Sequence, residues 1–313
     1  MSFTSDVKKE IINRGIGTTD ALAEKKAGIS AFVRTSGTIG VKDGDPTFFI
    51  VSETENVAEF FMALFSETFG AELSITNATL DRMSHRDKLL LQCPKNYVYD
   101  VLKELRLLNR SGEGFKEGIS ASLVSTEERK IAYIQGAFLG GGSCTMPGEK
   151  AKTGYHLEIV FSDRKTAKDF CELLSEFELL VKLIERKETH VVYIKSKEMI
   201  SDFLAIIGVE HCLKKFSALV EKRDEANRNN RAQNCMAGNA DKAAMAAVKQ
   251  VLAIGKLKGN GGFEELSEEL KELAELRIKQ PSMSLQELAD YLKVSKSCLN
   301  HRMRKLMELS NKE

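Results

Sequence analysis

The 313-residue sequence contains no pair of closely spaced cysteines. Its six, Cys93, Cys144, Cys171, Cys212, Cys235 and Cys298, never come nearer to one another than 23 residues. That spacing excludes a CxxC zinc or redox site and fits thiols that serve as small core side chains in a reducing compartment. Long hydrophobic runs are missing as well. No stretch approaches the roughly 18 apolar residues that span a bilayer, and the opening "MSFTSDVKKEIINR" has no apolar centre of the kind a signal peptide carries. An excess of one charge is also lacking. The formal net charge is +1, so the whole-chain balance selects no class of partner. The expectation is a cytoplasmic protein of about two domains that does not contact membranes.

What the sequence does contain is an internal repeat. "PTFFIVSETENVAEFFMALFSETFGAELSITNA", from Pro46, aligns with "YHLEIVFSDRKTAKDFCELLSEFELLVKLIERKE", from Tyr155. Each segment has an alternating β-rich run, a polar break and an amphipathic helix. Ala58 then matches Ala167 and Phe61 matches Phe170, both at an offset of 109. Downstream, "KLLLQCP" and "HVVYIKS" read as strands, and "NYVYDVLKELRLLN" and "KEMISDFLAIIGV" as closing helices. Upstream, "AGISAFVRTSGT" and "QGAFLGGGSCT" run into glycine, with Gly37 and Gly142 lying 105 apart. The pattern predicts an α+β fold with two tandem αββαββα repeats, about 18–110 and 128–210, inside a domain of residues 1–215.

Two tandem copies that each open with a helix ending near glycine resemble the LAGLIDADG homing-endonuclease fold. The resemblance implies that the two motif helices pack side by side on a pseudo-two-fold axis. In "AYIQGAFLGGGS", residues 132–143, Gly136 and Gly140 share one helix face. They are expected to face Ala27 and Ala31, with Gly37 and Gly142 completing a small-residue interface between the helices. The fold also implies an acid just before the last motif glycine of each copy, where paired carboxylates hold divalent metal. Alignment puts Ser36 and Gly141 at those positions. No acid lies between Arg34 and Asp43 or between Ile131 and Gly148 to replace them. The expectation is a nuclease scaffold with no catalytic residues, no metal site and no cofactor.

Residues 212–262 carry ten Lys/Arg against four Asp/Glu. They read as a basic helical linker over 216–262, ending in the glycine-rich hinge "GKLKGNGG". Two uses of the basic stretch stand side by side: a solvated connector, or phosphate contact through Arg228, Arg231, Asn234 and Lys242. Residues 263–313 then carry the most specific local pattern. In "SMSLQELADYLKVSKSCLNHRMRKLMEL" the apolar positions are Leu285, Leu288, Ala289 and Leu292, then Val294, then Leu299, Met303 and Leu306. That spacing predicts two helices joined by a three-residue break, with Ser295 capping the second. It matches a helix-turn-helix. Taking Leu299 as inward turns Ser297, His301 and Arg304 outward, with Asn300 and Lys305 beside them. Residues 293–305 hold five Lys/Arg and no acid. The expected DNA-contacting set is Ser295, Lys296, Ser297, Asn300, His301, Arg302, Arg304 and Lys305, and a protein-contacting tri-helical module is the alternative.

Together these parts resemble the WhiA family of bacterial regulators. The residues that carry the resemblance are "VRTSGT" (33–38), "AYIQGAF…GGS…YHLEI", Asn230, Arg231, Asn234 and Cys235, and "SLQEL…VSKSCLNHRMRKL". One departure is Ala31, where the family usually has glycine. The resemblance implies sequence-specific binding of double-stranded DNA, regulation linked to cell division and chromosome segregation, and sporulation septation in filamentous relatives. It also implies a helix-turn-helix similar to region four of sigma factors, which points to RNA polymerase or a sigma factor as a partner and to a place on the nucleoid. Two other classes remain: a regulator whose LAGLIDADG lobe senses a small molecule or a protein, and an active homing-type nuclease.

Overall fold

The structure, a computed structural model, describes residues 2–17, 22–42, 45–81, 86–109, 114–147 and 154–311. The expected first-repeat limits, 18 and 110, and the side chain of Cys235 lie outside the described residues. The chain divides into two compact units, Met1–Arg223 and Asp224–Glu313.

The first unit starts with helix α1 (Phe3–Arg14), which belongs to neither repeat. The first repeat follows as α2 (Leu22–Ser36), β1 (Gly37–Lys42), β2 (Asp45–Ser52), α3 (Glu55–Phe69), β3 (Ser74–Asp81), β4 (Arg86–Gln92) and α4 (Lys95–Glu104). The second runs α5 (Glu127–Gly141), β5 (Gly142–Thr145), β6 (His156–Phe161), α6 (Arg164–Ser175), β7 (Lys182–Arg186), β8 (Thr189–Ile194) and α7 (Lys197–Ile206). Each is therefore αββαββα. Each folds one antiparallel sheet, ordered β1-β2-β4-β3 and β5-β6-β8-β7. The register repeats too, with Gly37 opposite Ile50 and Gly142 opposite Ile159.

The reason lies in helical periodicity. In α3 the buried side chains are Val57, Ala58, Phe61, Leu64 and Phe65. In α6 they are Thr166, Ala167, Phe170, Leu173 and Leu174, the same five positions. Residues at this spacing share one helix face, so each helix covers its own sheet.

The motif helices α2 and α5 are buried nearly all round through Ala27–Val33 and Ala132–Leu139. They pack against each other, but not through the expected pairs. A Cβ at Gly136 would collide with the Gly28 carbonyl, and one at Gly140 would collide with the Thr35 hydroxyl and lie 3.0 Å from the Phe32 carbonyl oxygen. Gly28, Phe32, Thr35 and Ser36 are thus the residues that the glycines meet most closely. Ala27 and Ala31 are fully buried, but Ala27 lies about 100° around α2 from Gly28, and Ala31, about 60° from Gly28 and about 40° from Thr35, sits on the flank of the contact. Gly37 and Gly142 also differ from expectation. A Cβ at Gly37 would strike the Val33 carbonyl, and one at Gly142 would strike the Phe138 ring. Each therefore lets the chain turn from its own helix into a strand.

Two buried polar side chains at equivalent places tie each motif helix to its repeat's closing helix. Ser30 Oγ donates to the Leu105 carbonyl at 3.0 Å, just after α4. Gln135 Nε2 donates to the Ile207 carbonyl at 2.9 Å, just after α7. Helix α1 then straps the two ends of the unit together. Its Glu10 carboxylate accepts from the His211 and Cys212 amides at 2.8 and 2.9 Å, and its Arg14 donates to the Gly208 carbonyl at 2.8 Å.

Helix α8 (Glu210–Gly259) is continuous across the division between the units. Its end departs from the expected glycine hinge. Gly255 and Gly259 are helical, and Ile254 and Leu257 are buried in one core with Phe263, Leu266, Leu288, Leu299 and Leu306. The Phe263 amide donates to the Leu257 carbonyl at 2.9 Å, which closes the turn. Burial of two apolar side chains outweighs the helix cost of glycine, roughly 1 kcal/mol each. The second unit continues with α9 (Glu268–Lys279), α10 (Leu285–Tyr291) and α11 (Lys296–Leu309).

Candidate nucleic-acid interface

The helix-turn-helix is built from two caps and one tight turn. Ser284 opens α10 with a reciprocal capping box: its hydroxyl accepts from the Glu287 amide at 3.2 Å, and the Glu287 carboxylate accepts from the Ser284 amide at 2.7 Å. Ser295 caps α11 by accepting from the Cys298 amide at 3.2 Å, as its position predicts. Between them Lys293 takes the left-handed conformation with φ 53°, unusual for a residue with a side chain. The Val294 amide then donates to the Ala289 carbonyl at 2.9 Å. Ala289 is fully buried, so the two helices meet closely there.

An arginine that the sequence reading passed over fixes the approach to α10. Arg277 on α9 is buried, and its Nη1 donates to the Pro281 and Met283 carbonyls at 3.3 and 2.6 Å. Burial lowers its pKa. An arginine among leucines in an amphipathic helix gives no sequence sign that it turns inward.

On α11, Leu299, Met303 and Leu306 are buried. Ser295, Lys296, Ser297, His301, Arg304 and Lys305 are exposed, and Asn300 is half-buried. Arg302 stands apart from this set. Its side chain is 18% exposed and pairs with Glu269 of α9 at 2.8 Å, so it faces the module rather than the open side. One hundred degrees per residue separates it from the Ser297–His301–Arg304 row.

The second candidate group lies along α8. Arg228, Arg231, Asn234 and Lys242 are all exposed. Because the helix is unbroken, Arg228, Arg231 and Lys242 fall within roughly 60° of arc, with Asn234 on their flank.

The third place is the end of the motif helices. Ser36 and Gly141 are the last residues of α2 and α5. Ser36 Oγ donates back to the Phe32 carbonyl at 2.8 Å. A Cβ at Gly141 would lie 2.7 Å from the Val160 carbonyl oxygen and 2.9 Å from Thr35 Cβ, so backbone and Thr35 fill the space where a carboxylate stem would start. Among the described residues, no group of three or more His, Cys, Asp or Glu is arranged to hold a metal. Nor is any helix among them long and apolar enough to cross a membrane.

Comparison with known proteins agrees with this architecture. The WhiA C-terminal HTH domain matches residues 229–310, and the WhiA LAGLIDADG-like domain matches residues 130–225. A "Probable cell division protein WhiA" of Staphylococcus carnosus is 34% identical over 100% of this chain and 97% of its own length. The chain belongs to the WhiA family. A second relative with the same description, from Desulfitobacterium hafniense, is 36% identical over 100% of the chain and 96% of its own length. Among solved structures, full-length WhiA from Thermatoga maritima superposes with a TM-score of 0.53 at 22% identity, covering 99% of this chain and 98% of that one. That likeness concerns the fold: two LAGLIDADG-like repeats and a helical helix-turn-helix module.

Proposed function

We propose that this chain binds double-stranded DNA at a specific sequence and regulates transcription in cell division and chromosome segregation, without nuclease activity. The observation that carries the reading is the exposed row Ser297, His301 and Arg304 on α11, flanked by Lys296 and Lys305. An arginine that donates, beside a serine and a histidine that can donate or accept, on the basic second helix of a helix-turn-helix suits the base edges of a major groove. The row along α8 adds phosphate contacts that position the module. Arg302, engaged with Glu269, supports the module instead of touching DNA. Residues 263–313 act as the reader, 216–262 as the basic connector, and 1–215 as the LAGLIDADG-like lobe.

The relatives' description as cell division proteins supports the cellular role. The proposed role includes septation in a host that sporulates. RNA polymerase or a sigma factor is the natural second partner of a transcriptional regulator, and the nucleoid its place of work. Competition binding with cognate and random DNA tests the reading: deletion of residues 281–313 should abolish site preference. Full preference after the deletion would move the reader into the first unit. Nicking of supercoiled DNA in magnesium or manganese, abolished by chelator, would overturn the non-nuclease part.

A further inference from the structure

In the second unit, α8, the end of α9 and the segment that leads into α10 line a cavity of about 920 Å³. That volume lies in the range of small-molecule sites. Alanines of α8, Ala247 among them, form one wall, and Val251, Met283 and Leu285 add larger apolar surface. The charged residues in the lining are Arg277 and Lys296, and no acid is among them. Ser284 caps α10 and Lys296 opens α11, so the cavity lies against the start of both helices of the helix-turn-helix.

Two polar side chains of this lining are buried yet incompletely bonded. Gln250 is 8% exposed and Arg277 is 2% exposed. Neither Gln250 Oε1 nor Arg277 Nε has a hydrogen-bond partner. The Nη1 bonds to the Pro281 and Met283 carbonyls hold the guanidinium in place, and among the described residues no carboxylate pairs with it. A buried donor or acceptor left unpaired is destabilising, and a charged one more so. Packing does not call for an amide at position 250. Gln250 lies on the face of α8 that carries Ile254 and Leu257 into the core, where an apolar side chain would avoid the penalty.

We propose that this cavity binds a small apolar molecule that carries a carboxylate beside an N–H donor, as an N-acyl amino acid does. The carboxylate accepts from Arg277 Nε and balances the buried charge. The N–H donates to Gln250 Oε1, and the apolar chain lies along the wall that Val251 and Leu285 help to form. Water bonds the same two atoms but gives Arg277 no countercharge and leaves the apolar wall wet. A phosphate dianion fits less well, because one free Nε–H and a largely apolar lining cannot replace its hydration. The site stands independently of the DNA-binding reading, since its readout is direct binding of the small molecule.

The test titrates the full chain calorimetrically with N-octanoylglycine, kept below the concentration at which it aggregates. Two relatives of the probe serve as references: its methyl ester lacks the charge, and decanoate has the carboxylate without the N–H. N-octanoylglycine should bind saturably and about tenfold or more tightly than either. Gln250→Leu should melt no lower than wild type without ligand and should bind N-octanoylglycine and decanoate alike. Ala244→Phe, at an exposed position of the lining, should melt as wild type and block the probe. Equal binding of the acid and its ester would mean a merely apolar cleft and overturns the proposal. So does an absence of binding, binding that survives Ala244→Phe, or a preference over decanoate that survives Gln250→Leu. A lower melting temperature in Gln250→Leu would show that the amide supports the unliganded fold, and counts against the proposal equally.

Discussion

The two repeats of the first unit share a skeleton but differ at three equivalent places. Motif helix α2 ends in Ser36 and α5 in Gly141. Middle helix α3 begins at an uncapped Thr54 and α6 at a capped Asp163. The buried latch is Ser30 in one copy and Gln135 in the other. What the copies keep is what the shared core requires: the five buried positions of the middle helix and the helix-to-strand glycine. What differs lies at two helix ends and at one buried polar position, where each copy meets its own surroundings. The lesson is that a shared set of core positions holds both copies to one fold while other positions vary between them.

The largest way to break the comparison is at the axis itself. Gly136→Leu forces a side chain against the Gly28 carbonyl, an insertion that costs on the order of 1–3 kcal/mol or more. Melting of the first unit should fall markedly, and an unchanged melting temperature would show that the glycine face tolerates separation. The latches come next. Ser30→Ala and Gln135→Leu each strand a buried carbonyl, at about 1–3 kcal/mol. Denaturant midpoints should fall in both, and a loss in one alone would mean that the copies do not share the device.

A comparison between units sharpens the functional side. Arg304→Ala should reduce preference for the cognate site by roughly 1–3 kcal/mol at one base position. Lys305→Ala should weaken all sequences alike and flatten the salt slope by about one unit. Competition binding at two salt concentrations separates the two effects.

Asp163 gives a smaller, pH-dependent effect. Burial alone would raise its pKa, but hydrogen bonds from Thr166, Gly118 and Lys165 more than offset this and hold it below the usual carboxylate range. A lowered folded-state pKa means stability that is present above the unfolded value, about 3.9, and lost as pH falls through the folded one. Asp163→Asn keeps a capping oxygen but loses the charge, and should therefore be less stable than wild type at neutral pH by about 0.3–1 kcal/mol. The difference should close in acid. A gap that is constant with pH would assign the effect to packing. Smallest of all, Arg302→Ala should cost about 0–1 kcal/mol of module stability, as partly exposed ion pairs do. It should leave site preference intact, and a loss of preference would return Arg302 to the DNA-contacting set.

Much of this molecule was legible in the sequence. The order of elements in both repeats followed from period-2 and period-3.6 patterns, and Ala58 and Phe61 matched Ala167 and Phe170 because both pairs face a core. The helix-turn-helix was legible for the same reason, since Leu288, Ala289, Leu299, Met303 and Leu306 all proved buried. Less legible were contacts between elements distant in the chain. The partners of Gly136 and Gly140 depend on how two helices cross, which neither helix encodes alone. Arg302 read as a DNA-contacting side chain and Arg277 drew no reading, because neither the pairing with Glu269 nor the carbonyls after α9 can be seen along the chain. The glycines at 255 and 259 looked like a hinge because propensity is local, whereas the burial of Ile254 and Leu257 that keeps them helical is not.

The sequence by itself determined the periodicities, the caps and the missing acids, because each is a property of residues near one another along the chain. Tertiary structure alone decided which backbone the glycine face meets, that Ser30 and Gln135 reach the carbonyls just after α4 and α7, and that Arg302 pairs with Glu269. The physical reason is that periodicity selects a face, while desolvation and steric contact depend on what the rest of the fold places against it.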